Sequence, residues 1–217
     1  YIEVLEAAKA LGILPLLHCE DQNVTKAGLR KLVAQGKTSI EFYEESRPVA
    51  AEVLSTQHAM ALCELTGCPV YIVHLSSARA LRACEEAQAR GLPVFVEGRP
   101  LYLHHTSQRY KGPEGPLFVS MPPIRSAEDQ EVLWQGVVRG SIHTLGSDHA
   151  PYMKADNLDP KHDITDPLAG SANLQEMLPL LYSEGVLKGR ISLERFVQLT
   201  STHVAKLFGL YPRKGVI

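Results

Sequence analysis

The sequence predicts an α/β fold built on a mostly parallel sheet, on three observations. Short apolar runs alternate four times with stretches of helical periodicity. Polar, chemically capable side chains close three of those runs. No Gly-x-Gly-x-x-Gly turn accompanies the alternation, which argues against a dinucleotide-binding sheet. Four such units fit half of an eight-stranded (β/α)8 TIM barrel, where residues at the C-terminal strand ends share one face.

In order, residues 1–12 place Ile2, Leu5, Ala8 and Leu11 at helical spacing and stop at Gly12. The run Ile13-Leu-Pro-Leu-Leu17 predicts a buried strand over 13–18, ending in His18-Cys-Glu-Asp21. Residues 22–48 are polar and rich in turn signals. A helix is predicted over 49–66, with Gly67 as its stop, then a strand over 70–75 that carries His74 near its end. Ser76-Ser-Ala opens a helix over 78–90, which Gly91 caps. Pro93-Val-Phe-Val-Glu97 gives a third strand, and 98–127 reads as a long loop containing His104, His105 and Ser120-Met-Pro-Pro-Ile-Arg125. A helix over 127–139 precedes a fourth strand over 142–147. There Gly146 and Ser147 permit a sharp turn, Asp148 and His149 follow, and Pro151 ends pairing. Helices over 171–184 and 192–208 complete the chain, and Leu207-Phe-Gly-Leu-Tyr-Pro212 reads as a helix end docking on a neighbour.

Composition narrows the function. The 217 residues are 45% hydrophobic and 21% charged, as in ordinary globular proteins. A net charge of −2 gives no reason to expect nucleic acid or an anionic membrane as partner. No apolar run reaches the roughly 20 residues that a spanning helix needs. The start, Tyr1-Ile-Glu-Val, has neither the basic nor the apolar region of a signal peptide. It also lacks Met and opens inside a helical pattern, so the chain is expected to begin within a longer protein. The cysteines Cys19, Cys63, Cys68 and Cys84 form no C-x-x-C pair, and free thiols in a reducing cytoplasm are expected. Cys19 stands out because it follows His18 directly.

Three strand ends supply His18, His74 and Asp148. A single histidine at a buried strand end is more often structural than a ligand. Two histidines and an aspartate, each closing its own parallel strand, would converge on one face of a barrel. Neutral imidazole and carboxylate suit zinc and similar divalent ions, which lower the pKa of water toward 7. Spacing alone leaves the metal and structural readings both open.

A series of short motifs adds to this. Leu16-Leu-His-Cys-Glu-Asp21, Ser46-Arg-Pro48 with Glu52, Tyr71-Ile-Val-His-Leu-Ser76, Met121-Pro-Pro-Ile-Arg125, Gly146-Ser-Asp-His-Ala-Pro151 and Phe208-Gly-Leu-Tyr-Pro-Arg-Lys-Gly215 run almost the length of the chain. Together they resemble the dihydropyrimidinase/hydantoinase family of the amidohydrolase superfamily. The resemblance implies strands five to eight of a barrel carrying two divalent metal ions, zinc foremost. It implies that His18 and His74 bind the second metal and that Asp148 binds the first. Asp148 would also move a proton from the metal-activated hydroxide to the departing ring nitrogen. The implied reaction is the ring opening of a cyclic amide, a dihydropyrimidine or hydantoin, by a cytoplasmic homo-oligomer, a tetramer in this family. Main-chain groups at Met121 and Ala169 would hold the substrate.

The departures from the family's pattern bear on the same reading. Residues 1–217 are expected to be a partial catalytic domain, since the family's first-strand His-x-His pair, its bridging lysine and its β-sandwich are absent. The segment alone is expected to be inactive. Met121-Pro-Pro stands where Ser-Pro-Pro is usual, Ala169-Gly170 where Asn-Gly is, and Arg99-Pro100 where Cys-Pro is common. Arg99 is read as a solvent-facing residue, the alternative being a pair with a carboxylate on the substrate. Allantoinase-like or dihydroorotase-like hydrolysis and a non-catalytic scaffold are the alternatives. His149 is read as supporting Asp148, Arg47 and Glu52 as an ion pair, and Trp134 as core. His58, His143, His162 and His203 are read as surface or core residues.

Overall fold

Four parallel strands lie side by side in chain order: β1 (Leu16–Leu17), β2 (Val70–Ile72), β3 (Val94–Gly98) and β4 (Thr144–Leu145). The structure, a computed structural model, describes residues 1–216. Tyr71 pairs with Leu16 on one side and Phe95 on the other, and Gly98 pairs with Leu145. The parallel sheet expected from the alternation is therefore present. Its strands are shorter than the apolar runs, because β1 and β4 are outer strands that each pair on one side only. Pairing reaches slightly further in main-chain bonds, with Tyr71 N–H donating to Pro15 O at 3.0 Å and Gly146 N–H to Gly98 O at 3.1 Å.

Crossover helices bury one flank of the sheet, as parallel strands require. After α1 (Ile2–Ala10), which precedes β1, they include α2 (Gln22–Ala34), α3 (Tyr43–Ser46), α4 (Val49–Thr66), α5 (Ala78–Ala89), α6 (Pro100–His104) and α7 (Ala127–Arg139). Met60 and Cys63 of α4, Leu81 and Cys84 of α5, and Leu133 and Val137 of α7 close over Val70, Ile72, Val94 and Val96 of the sheet. Trp134 is core, as expected, and its indole N–H donates to Leu103 O at 2.8 Å. Gly67 ends α4 with φ 62°, a conformation that costs glycine little. After β4 come α8 (Lys154–Asn157), α9 (Leu174–Leu181), α10 (Leu193–Val197) and α11 (His203–Leu207).

Three expectations need correction. Residues 22–48 are not turns throughout, because α2 occupies 13 of them. Its start is fixed by Asp21, whose carboxylate accepts from the main chain of Asn23 and Val24 at 2.9 Å. The helix is polar overall and buries little beyond Thr25 and Leu32. Residues 98–127 are not structureless, since α6 and the 3-10 turns Ser107–Tyr110 and Gly115–Phe118 lie there. Finally, wide π-type turns at Tyr182–Leu187 and Gln198–Thr202 interrupt the two late helices. The chain end does dock: the Phe208 ring meets Tyr71 edge-on at 5.5 Å.

Candidate active site

Two of the residues singled out above share an unusual backbone. Among the described residues, His74 (φ 40°) and Asp148 (φ 45°) are the non-glycine residues in the left-handed region. Side chains with a Cβ avoid this region, and it persists where surrounding contacts enforce it. Both follow short parallel strands, so the sharp turn at each strand end re-aims a candidate site residue.

The contacts that enforce it at His74 come from β3. The Glu97 carboxylate accepts from His74 N–H at 3.1 Å and from the Tyr71 hydroxyl at 2.9 Å. It packs against Gly146, where an added Cβ would lie 2.5 Å from Glu97 Oε2. Glycine is needed there for space, and Gly146 thereby couples the β4 end to the β2 end. Burial raises the Glu97 carboxyl, although Tyr71 and His74 donate to it. A second buried set lies one step on. Glu52 accepts from Ser76 N–H at 2.7 Å and Ser76 Oγ at 3.0 Å. Arg125 donates to the same Oγ at 3.2 Å and to Arg47 O at 2.7 Å. Arg47 pairs with Glu20 rather than Glu52, which corrects the expected ion pair. Burial would raise the Glu20 carboxyl, but bonds from His18 and Arg47 outweigh it and hold it low.

The imidazoles of His18 and His74 meet edge-on, with His18 Nδ1 and His74 Nε2 3.1 Å apart. The other His18 nitrogen lies 3.5 Å from Glu20 Oε2. His74 Nδ1 is buried without a hydrogen-bond partner. Burial, then the neighbouring His18, pushes the His74 pKa down to about 4, so the ring is neutral at pH 7. Asp148 is held by Arg99, with Nη1 to Oδ2 at 2.9 Å, and its charge acts on His74, opposing the effect of burial there. Among the described residues no group of three or more His, Cys, Asp or Glu side chains is arranged to hold a metal ion. Arg99 is 1% exposed, the opposite of the solvent-facing residue expected. Its two terminal nitrogens are engaged inside the protein, Asp148 supplying the carboxylate that a buried cation needs, while Nε has no partner.

Comparison with known proteins agrees with this architecture. No family model matches the chain. It is 38% identical over 216 residues to the D-hydantoinase of Geobacillus stearothermophilus, covering 98% of this chain and 46% of that protein. It is 36% identical over 220 residues to a D-phenylhydantoinase of Escherichia coli, covering 99% and 48%. Among solved structures, a D-hydantoinase (dihydropyrimidinase) from Thermus sp. superposes with a TM-score of 0.95 at 37% identity, over 100% of this chain and 48% of that one. The chain belongs to the hydantoinase/dihydropyrimidinase family. It spans about half the length of the curated relatives it matches.

Within this hydantoinase-family chain, the segments of Met121 and Ala169 lie together. Gly170 N–H donates to Val119 O at 2.9 Å, and the Tyr43 hydroxyl holds Ser120 O at 3.1 Å. Met121 and Ala169 are both half-buried. His149 is tied to the next segment, its Nδ1 accepting from Asn173 and Leu174 N–H at 3.2 Å. Cys19 is buried, and burial pushes its thiol up to about 12, so its place beside His18 gives it no reactivity. Glu97 and Gly146 escaped notice as a pair. The signal available was a carboxylate closing the one apolar run that lacked a chemically active end.

Proposed function

We propose that this chain is the part of a cyclic-amide hydrolase that carries strands five to eight of a (β/α)8 barrel, and that it opens a dihydropyrimidine or hydantoin ring. The carrying observation is the pair of imidazole nitrogens, on successive parallel strand ends, 3.1 Å apart. Two ring nitrogens on one tetrahedral zinc at ~2.0–2.1 Å would stand ~3.3 Å apart, so the pair fits a shared divalent ion. The neutral state of His74 fits as well, because neutral imidazole is the ligand form, and the second nitrogen of His18 faces the Glu20 carboxylate at 3.5 Å. His18 and His74 would hold one ion, and Asp148 would contribute to a second, zinc in each case. When bound, such ions supply Lewis acidity, which polarises an amide carbonyl and acidifies water.

The chain's own residues then handle position and protons. Water adds to the amide carbon, the carbon–nitrogen bond breaks, and a ring-opened carboxylate leaves. Asp148 accepts the proton that water loses and returns it to the departing nitrogen, a poor leaving group unless protonated. Main-chain groups at Met121 and Ala169 line the substrate's side of the site. The remaining ligands and the β-sandwich would come from sequence outside this chain, consistent with its half coverage of relatives and the outer edges of β1 and β4. The four buried free cysteines suit a cytoplasmic protein, and the exposed Leu174, Leu178, Leu187 and Leu193 suit a homo-oligomer, a tetramer by family resemblance. The matching relatives carry hydantoinase names, so the allantoinase-like, dihydroorotase-like and scaffold alternatives are not favoured.

The test is metal analysis of the complete enzyme together with a panel of cyclic amides. Zinc-dependent opening of dihydropyrimidines or hydantoins is expected. A metal-loaded enzyme that opens none of them would overturn the reading.

A further inference from the structure

One buried cation is left over from the proposed chemistry. Arg99 leaves the end of β3, and its guanidinium makes three polar contacts. Nη1 lies 2.9 Å from Asp148 Oδ2, Nη2 donates to the Asp148 main-chain O at 3.3 Å, and Nη2 also donates to Ser171 Oγ at 2.9 Å. The guanidinium carbon stands 5.4 Å from the centre of the Tyr102 ring. Ser171 is itself tied to the Asp148 turn. Ala150 N–H donates to Ser171 O at 3.2 Å, and Asn173 Nδ2 donates to Ser147 O at 2.9 Å. Arg99 therefore joins the end of β3, the turn after β4 and the 171–173 segment. Two of its three contacts reach one residue, through both side chain and main chain, and that residue holds a disfavoured left-handed backbone.

We infer that Arg99 is a positioning residue for Asp148, which engages carboxylate oxygen Oδ2 and the carbonyl and so presents Oδ1 alone to the reacting groups. The inference rests on the hydrolase reading above. Its logic is geometric: a planar fork can grip two acceptors of one residue at once, which a single ammonium does with less directional control. A carboxylate free to rotate would divide its time between productive and unproductive orientations. Placing a group in its reactive orientation is itself a source of rate.

The complete enzyme would be assayed as Arg99→Met, Arg99→Lys and Arg99→Ala, the last with and without guanidinium ion at millimolar concentration. The expected result is a kcat 10–100-fold lower in Arg99→Met, on the order seen for residues that orient a ligand. KM should stay within about twofold, Arg99→Lys should fall between, and guanidinium should restore part of the Arg99→Ala rate. Amide hydrogen exchange over 146–150 should quicken by roughly tenfold or more in Arg99→Met while 70–72 stays unchanged. A kcat in Arg99→Met within about twofold of wild type overturns the inference, as does unchanged exchange over 146–150. If Arg99→Met fails to fold, Arg99→Lys and the guanidinium experiment decide in its place: no loss in the first, or no recovery in the second, overturns it. A wild-type enzyme inactive on cyclic amides would instead overturn the hydrolase reading, and the exchange measurement would still report on Arg99.

Discussion

The ends of β2 and β4 use the same backbone device and support it differently. At His74 the left-handed turn is held by a main-chain hydrogen bond to the half-buried Glu97, and the next residues lock into Glu52 and Arg125. At Asp148 the turn is held by a side-chain clamp from Arg99, and the aspartate remains 45% exposed. One end is a braced post, which on the proposed reading only holds a metal ligand. The other keeps a carboxylate with one oxygen engaged and the other open. That division suits a group that only binds and a group that must also move a proton.

The largest effect should come from removing that mobile charge. Asp148→Asn in the complete enzyme should lower kcat by roughly 10²–10⁴-fold or more, because Asn keeps the shape but neither the basicity nor the negative charge. Folding, read by thermal unfolding, should be little changed. His149→Gln should cost about 10–100-fold at most, since its ring bonds the main chain of the next segment rather than facing His18 or His74. Near-normal turnover in Asp148→Asn with normal metal content would show that the β4 end is only another post.

A second substitution tests whether the two ends are mechanically joined. In Gly146→Ala the new Cβ would fall 2.5 Å from Glu97 Oε2 and 2.6 Å from its Cδ. The carboxylate cannot swing aside freely, because Tyr71 and His74 both donate to it. Overpacking of this kind costs about 1–3 kcal/mol. The disturbance should surface at His74, on another strand, as loss of metal affinity and faster exchange of its amide. An effect confined to 144–150 would break the link between the ends.

These particulars show what the sequence made legible. The four parallel strands, the helices at 49–66, 78–89 and 127–139, and the placement of His18, His74 and Asp148 at strand ends all rest on short-range periodicity, which a sequence displays directly. The hidden features depend on three-dimensional partners. Arg99 reads as a surface residue until β3 and β4 are set side by side, and only then does Asp148 come within its reach. Arg47 stands near Glu52 in the sequence, yet the fold gives it Glu20. The helix Gln22–Ala34 escaped because its composition is polar overall and it buries few residues, while its cap, Asp21, resembles any acidic loop residue.

The smallest effect is a response to acid, and it sets the buried histidine of the β2 end against the rest of the molecule. Burial pushes His74, His104 and His143 down to about 4 and lowers His105 as well. An unfolded histidine titrates near 6.5. Between these values the unfolded chain binds more protons than the native one, so stability falls as pH drops from about 6.5 toward 4. Each fully buried histidine contributes at most about 1.4 kcal/mol per pH unit, and the half-exposed ones less. Glu52 and Glu97 oppose this, since burial raises both carboxyls and the native state takes up their protons first. Four histidines against two carboxyls leave acid destabilising overall. Urea midpoints at pH 7.5 and 5.5 should differ accordingly. In metal-free protein, His74→Gln should shrink the difference by roughly one histidine's share, about 1 kcal/mol over the interval. In His104→Leu, where the ring packs edge-on against Trp134 at 6.0 Å, the pH 7.5 midpoint should hold while the acid loss again shrinks. A midpoint that rises on acidification would mean that the raised carboxyls, Glu52 and Glu97, outweigh the histidines.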